Sequence, residues 1–169
     1  SDSINHSFFR RPDDRLCDTV WIDIRIMGNA TDYIRPFKIV QVQSADSAMA
    51  RSGIHYIGFE TGEMQEYLKI PAGKVSTLLP VILLKTAQLD TMKVRLEIQV
   101  DSNSYFLPGL NSNRNFTVTT TAMPERPLSW DQWEAYLGEW GAKKMKFLVN
   151  FTDIDFDLIP TDLNYKFTM

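Results

Sequence analysis

Residues 52–84, SGIHYIGFETGEMQEYLKIPAGKVSTLLPVILL, carry the reading that decides the fold. They hold a Gly-Ile-His-Tyr corner at 53–56, a predicted strand at 65–70, an Ile-Pro-Ala-Gly turn at 70–73 and a long apolar run at 75–84. Proline fixes φ and glycine accepts left-handed geometry, so the turn has a backbone reason to exist. The run at 75–84 is apolar on both faces: Leu78, Ile82 and Leu84 on one, Leu79, Val81 and Leu83 on the other. Burial on both faces suits a central strand. Pro80 conflicts with that, because proline cannot donate to a ladder; it implies a bulge or a strand open on one side.

On the N-terminal side, Val20, Ile22, Ile24 and Ile26 alternate with Trp21, Asp23, Arg25 and Met27, the period-2 signature of a half-buried strand. Residues 37–43 repeat it, with Phe37 and Ile39 opposed to Val40 and Val42, and 44–52 reads as a loop crossing between sheets. A short edge strand is predicted at 7–9. On the C-terminal side, Val94, Leu96, Ile98 and Val100 alternate with charged and amide residues, and the threonine-rich run 116–121 adds a last sandwich strand. Between them, 101–114 is a polar loop with Tyr105, Phe106, Leu107 and Leu110 as a hydrophobic patch. Short strands with turn signals and no long helical period predict an all-β chain, an immunoglobulin-like antiparallel sandwich over residues 1–122.

The prolines of 123–127 mark a boundary, and 123–169 is expected to be an extension packed on the sandwich. Ser129 is placed to cap a short helix that Gly138 ends. Met145, Phe147, Val149 and Phe151 then share one face opposite Lys144 and Lys146, and the parity switches after Asp153. That pattern predicts a β-hairpin, followed by a turn at 160–164 and a final strand at 165–168.

At 169 residues, with 44% hydrophobic and 23% charged residues, the chain can bury a core without metals or disulfides. A net charge of −3 with scattered basic residues argues against nucleic acid. Cys17 is the only cysteine and is expected to be a small buried thiol. His6 and His55 are the only histidines and show no metal-ligand spacing; a His-based catalytic dyad is hard to build from them. No run approaches the ~20 apolar residues of a membrane span. The start, Ser1-Asp2-Ser3, shows no signal peptide and suits a cytosolic or a trimmed secreted protein equally.

Trp130, Trp133, Leu137 and Trp140 fall on one helical stripe. With Tyr136, these tryptophans read either as an aromatic platform for a sugar or partner, or as packing between helix and sandwich. Trp21 lies on the polar face of its strand, either exposed or under the extension. Trp21, Trp130, Trp133, Tyr136 and Trp140 are therefore the candidate binding residues. The triplet Asp153, Asp155 and Asp157 resembles the start of a calcium loop, but Leu158 and Asn164 stand where glycine and glutamate are required, so it is read as a solvated strand face. Four glycosylation sequons, at Asn5, Asn29, Asn115 and Asn150, match too short a pattern to carry weight. No nucleophile elbow, phosphate loop, zinc motif or dinucleotide fingerprint is present, so no enzyme, metal or cofactor is expected.

The segments AMARSGIHY at 48–56, Ile70-Pro-Ala-Gly-Lys and Leu79-Pro-Val81 resemble the pattern of Calx-β and fibronectin-III-like domains. Downstream, Pro127-Leu-Ser-Trp130 and LGEWGAKKMKF at 137–147 resemble a stretch of an uncharacterised family of Bacteroidetes surface lipoproteins, in which a sandwich precedes a C-terminal extension. The resemblance implies an exported protein, lipid-anchored at the outer membrane or cell surface, with no established activity. Some such proteins sit beside glycan-uptake systems. Cys17 lies too far inside the strand region to be the anchor, so an anchor is expected before Ser1. The resulting expectation is a non-catalytic binding or accessory module for a polysaccharide or another envelope protein. The alternative is a structural subunit of an outer-membrane complex with no small-molecule ligand.

Overall fold

Alternation of side chains along the strands places most of the architecture. The computed structural model describes residues 2–101, 103, 105, 106 and 115–158. Strand β1 (Asp2–Ser7) runs into a 3-10 turn at Phe8–Arg10, and β2 (Cys17–Arg25), β3 (Arg35–Pro36) and β4 (Lys38–Gln41) follow. A one-turn helix α1 (Gly62–Gln65) precedes β5 (Lys69–Ile70) and β6 (Ser76–Leu84). Next come a 3-10 turn at Ala87–Asp90, β7 (Val94–Asp101), β8 (Asn115–Thr121), and helices α2 (Trp130–Leu137) and α3 (Ala142–Phe151).

The strands form a four-stranded sheet ordered β1-β8-β7-β4, a β2-β6 pair and a two-residue β3-β5 ladder. This open, sandwich-like arrangement makes the protein all-β with a helical C-terminal part. Ile22, Leu79, Val81 and Leu83 from β2 and β6 join Val94, Leu96, Ile98 and Val118 from β7 and β8 in one buried core. Apolar side chains sealed between two sheets are the main driving force for such a layer.

The crossing expected at 44–52 is present. Ala50 N–H donates to Arg95 O at 2.8 Å on β7, and Ile57 N–H donates to Ile82 O at 2.9 Å on β6. Gly53, at φ 77°, makes the corner possible. His55 fixes it: Arg51 N–H donates to His55 Nδ1 at 2.9 Å, and His55 Nε2 meets Gln88 Oε1 at 2.8 Å. Pro80 is also explained. Leu84 N–H donates to His55 O at 2.8 Å, so even-numbered residues of β6 turn their backbone groups away from β2. The missing N–H of Pro80 falls on that side, and the β2 ladder stays unbroken over nine residues.

Several expectations are corrected. The tail hairpin is helix α3 over 142–151. Met145 and Val149 are buried one helical turn apart, and Phe147 and Phe151 are exposed one turn apart. Pairs spaced by four fit both an even strand period and a helix, so the sequence pattern was ambiguous. The strand expected at 65–70 shrinks to Lys69–Ile70, because Thr61 through Gln65 turn into α1. The edge strand at 7–9 lies earlier, at Asp2–Ser7, and pairs parallel to β8, so the sheet is not wholly antiparallel. Cys17 is exposed rather than buried. Ser129 makes no side-chain cap; its hydroxyl donates to Phe156 O instead. The expected turn at 160–164, the final strand and most of the 101–114 loop lie outside the described residues.

A second buried cluster gathers Phe9, Trp130, Trp133, Met145, Val149 and Phe156. Consecutive residues Phe8 and Phe9 therefore enter different cores.

Candidate functional site

On β2 and β6 the residues not committed to the core form an outer face. Trp21 is 51% exposed there, opposite Pro80. Its ring meets Tyr67 edge-on, with centroids 6.3 Å apart at an interplanar angle of 72°. Tyr67 is held by the turn that leaves α1, where its N–H donates to Met64 O at 3.1 Å. Leu78, opposite Asp23, is exposed on the same face. Arg25 Nε donates to Asp23 Oδ2 at 2.7 Å. Indole, phenol and a carboxylate–guanidinium pair thus share one surface. Such a surface offers flat apolar area with polar tips, the combination that binds amphipathic ligands.

The other candidate residues are elsewhere. Trp130 and Trp133 are fully buried, which corrects their assignment to a binding platform. Their indole N–H groups donate inward, to Gly138 O at 3.0 Å and Leu158 O at 3.2 Å. Trp140 is half-buried against the same cluster, and its N–H reaches Met145 Sδ. Tyr136 is exposed on α2. The sequence does not single out Tyr67, because residues 65–70 have the pattern of a strand and nothing in it places the ring beside Trp21.

A polar network joins β1, β2 and the helical part. His6 Nε2 meets Asp18 Oδ2 at 2.8 Å and His6 Nδ1 meets Thr120 Oγ1 at 2.9 Å. Arg11 Nε also donates to Asp18 Oδ2 at 2.8 Å, and Arg10 and Arg11 both donate to Asp157. Burial alone would raise the Asp18 carboxyl, but hydrogen bonds from His6 and Arg11 outweigh it and hold the group well below the usual carboxylate range. Asp157 follows the same pattern: burial opposes ionisation, and Arg10 and Arg11 more than offset it. Asp155 and Asp157 therefore face arginines rather than a solvated strand face, Asp155 at 3.6 Å from Arg11. A hydroxyl, imidazole and carboxylate in line resemble a nucleophilic triad, yet Thr120 is only 2% exposed, so no substrate reaches it. Sequence spacing makes a catalytic dyad hard to build from His6 and His55; strand pairing nonetheless gives His6 two side-chain partners, and these contacts tie β1 to β8 and to Asp18 of β2. Among the described residues no group of three His, Cys, Asp or Glu side chains gathers as a metal site, and no helix is long and apolar enough to cross a membrane.

The fold and this face define an all-β, sandwich-like protein for which no catalytic family is indicated. The chain belongs to the DUF4843 family, a domain of unknown function whose model matches residues 1–154. No curated protein matches it. Among solved structures it is similar to a proposed carbohydrate binding protein from Bacteroides ovatus, at 17% identity and a TM-score of 0.44. That match covers 73% of this chain, and the chain spans 36% of the length of that protein.

Proposed function

We propose that this chain is a non-catalytic binding module whose ligand is a glycan, held on the outer face of β2 and β6. The observation that carries the reading is the half-exposed Trp21–Tyr67 pair beside Asp23 and Arg25. A pyranose ring has apolar C–H faces that lie on an aromatic ring, and hydroxyls at its rim that hydrogen-bond to carboxylate and guanidinium. Native gels containing individual polysaccharides test it. Retention of the wild type on at least one, lost in Trp21→Ala and Tyr67→Ala but kept in Tyr136→Ala, is the expected result. The exported, lipid-anchored location at the cell surface belongs to the same proposal, and fractionation of cells producing the full-length protein checks it.

A second reading is an interaction subunit without a small-molecule ligand. The exposed Phe147 and Phe151 rings, with centroids 5.0 Å apart on α3, favour a protein contact there. No retention on any polysaccharide, with an envelope protein co-purifying through α3, is its signature.

A further inference from the structure

Beside β4 lies a groove of about 600 Å³, within the ~300–1,000 Å³ common for ligand sites. Residues 35–41 form one extended run that uses its two sides in turn. Arg35 lies opposite Ile70, and Phe37 N–H donates to Leu68 O at 3.0 Å, so odd-numbered residues face β5. Val42 N–H donates to Glu97 O at 2.8 Å, so even-numbered residues face β7. Ile39 and Gln41 have the parity of Arg35 and Phe37, and their backbone N–H and C=O groups point to the β5 side. There β5 has no counterpart for them: preceding residues turn through α1, with Leu68 N–H bonded to Gln65 O at 3.3 Å. β4 is an edge of its sheet, and among the described residues no backbone group bonds Ile39 or Gln41 on that side.

The groove is walled by Tyr56, Phe59, Gln65 and Leu68 as well as by β4. The Gln41 side chain is occupied, accepting from Tyr56 Oη at 2.7 Å and donating to Ala50 O at 2.7 Å. Burial and the nearby Glu60 charge push the Tyr56 phenol up, so it stays a neutral donor to Gln41. Along the edge, the backbone groups of Ile39 and Gln41 are the ones left without a bond among the described residues, although Ile39 as a whole is only 5% exposed. Lys38 also lines the groove and has no ion-pair partner among the described residues.

We propose that this groove takes an extended peptide segment of a partner protein, which adds as a strand antiparallel to β4 and continues the ladder that β5 leaves at Leu68. Peptide residues opposite Ile39 and Gln41 exchange both backbone bonds with them, as in any narrow antiparallel pair. Their side chains share the face of Ile39, over Phe59 and Leu68, and must be apolar. The residue between them shares the opposite face with Lys38, so an acidic side chain there is complementary. Trp21 and Tyr67 do not line the groove, so the inference stands apart from the glycan reading.

The test uses the full chain and the synthetic peptide Ac-Ser-Val-Asp-Val-Ser-NH2, with a control methylated on both valine nitrogens, read by amide hydrogen exchange. The parent peptide should slow exchange at Ile39 and Gln41 by about tenfold at saturation, with no effect from the methylated control and the same result in Trp21→Ala. Failure to slow these two amides, equal slowing by the methylated control, or slowing by a polysaccharide instead of the peptide would overturn it.

Discussion

The sandwich core and the small core of α2 and α3 meet at consecutive residues, Phe8 and Phe9, yet they are closed in different ways. The sandwich is sealed by long ladders between distant segments, with aliphatic side chains entering from every strand but the two-residue β3. The small core is built on two tryptophans and Phe156, with ring centroids 5.2 Å and 5.4 Å apart, and is tied to the N-terminal segment by charge. Lys146 Nζ reaches Arg11 O and Asp13, Asn150 exchanges hydrogen bonds with Asp13, and Arg10 and Arg11 hold Asp157. Non-directional apolar packing carries the sandwich, whereas directional, pH-sensitive contacts position the helical part on it. Neither core includes the Trp21–Tyr67 pair of the outer face, which leaves that pair available to the proposed ligand.

The sharpest way to break this comparison is Trp133→Ala. Removing a fully buried indole is expected to cost about 3–5 kcal/mol. Hydrogen exchange should rise most in α2 and α3 and least in β2 and β6; a uniform rise would merge the two cores into one cooperative unit. Next in size is Asp18→Asn, which weakens acceptance from His6 and Arg11 and should cost about 1–3 kcal/mol in chemical denaturation. An unchanged midpoint would remove the network from the account.

Acid sharpens the comparison further. Asp18, Asp157 and Asp13 have folded-state pKa values below their unfolded ones. The stability they add is complete above about pH 4 and is lost as pH falls toward the folded values. Melting followed between neutral and strongly acidic pH should therefore be flat at first and then fall. The fall should be smaller in Asp18→Asn, whose substituted side chain no longer titrates. The smallest stability effect belongs to Trp21→Ala, expected within about 0.5 kcal/mol because half of that ring is already in water. A large loss would make Trp21 part of the scaffold.

What could be read from the residues follows from the same contrast. Strands such as β7 were legible because Val94, Leu96 and Ile98 bury one face while Arg95 and Glu97 stay outside, a pattern only a strand satisfies. Pro80 and Gly53 were legible because their backbone demands are local. Helix α3 was not, since its buried and exposed pairs at 145/149 and 147/151 satisfy two periods at once. The candidate site was half legible. Trp21 announced itself as a tryptophan on a polar face, while its partner Tyr67 and the alignment of His6 with Asp18 and Thr120 depend on contacts between distant segments. Strand pairing brings His6 beside Thr120, 114 positions away, and no local pattern encodes that.

The central claim is that the ligand face is Trp21 and Tyr67 while the remaining tryptophans serve the small core. The four tryptophans give four indole N–H signals in a two-dimensional NMR spectrum. On titration with a polysaccharide fragment retained in the native gels, the Trp21 indole should shift while those of Trp130 and Trp133 stay in place. Movement of the Trp130 and Trp133 signals with Trp21 unmoved, or no movement with any retained fragment, would contradict the account.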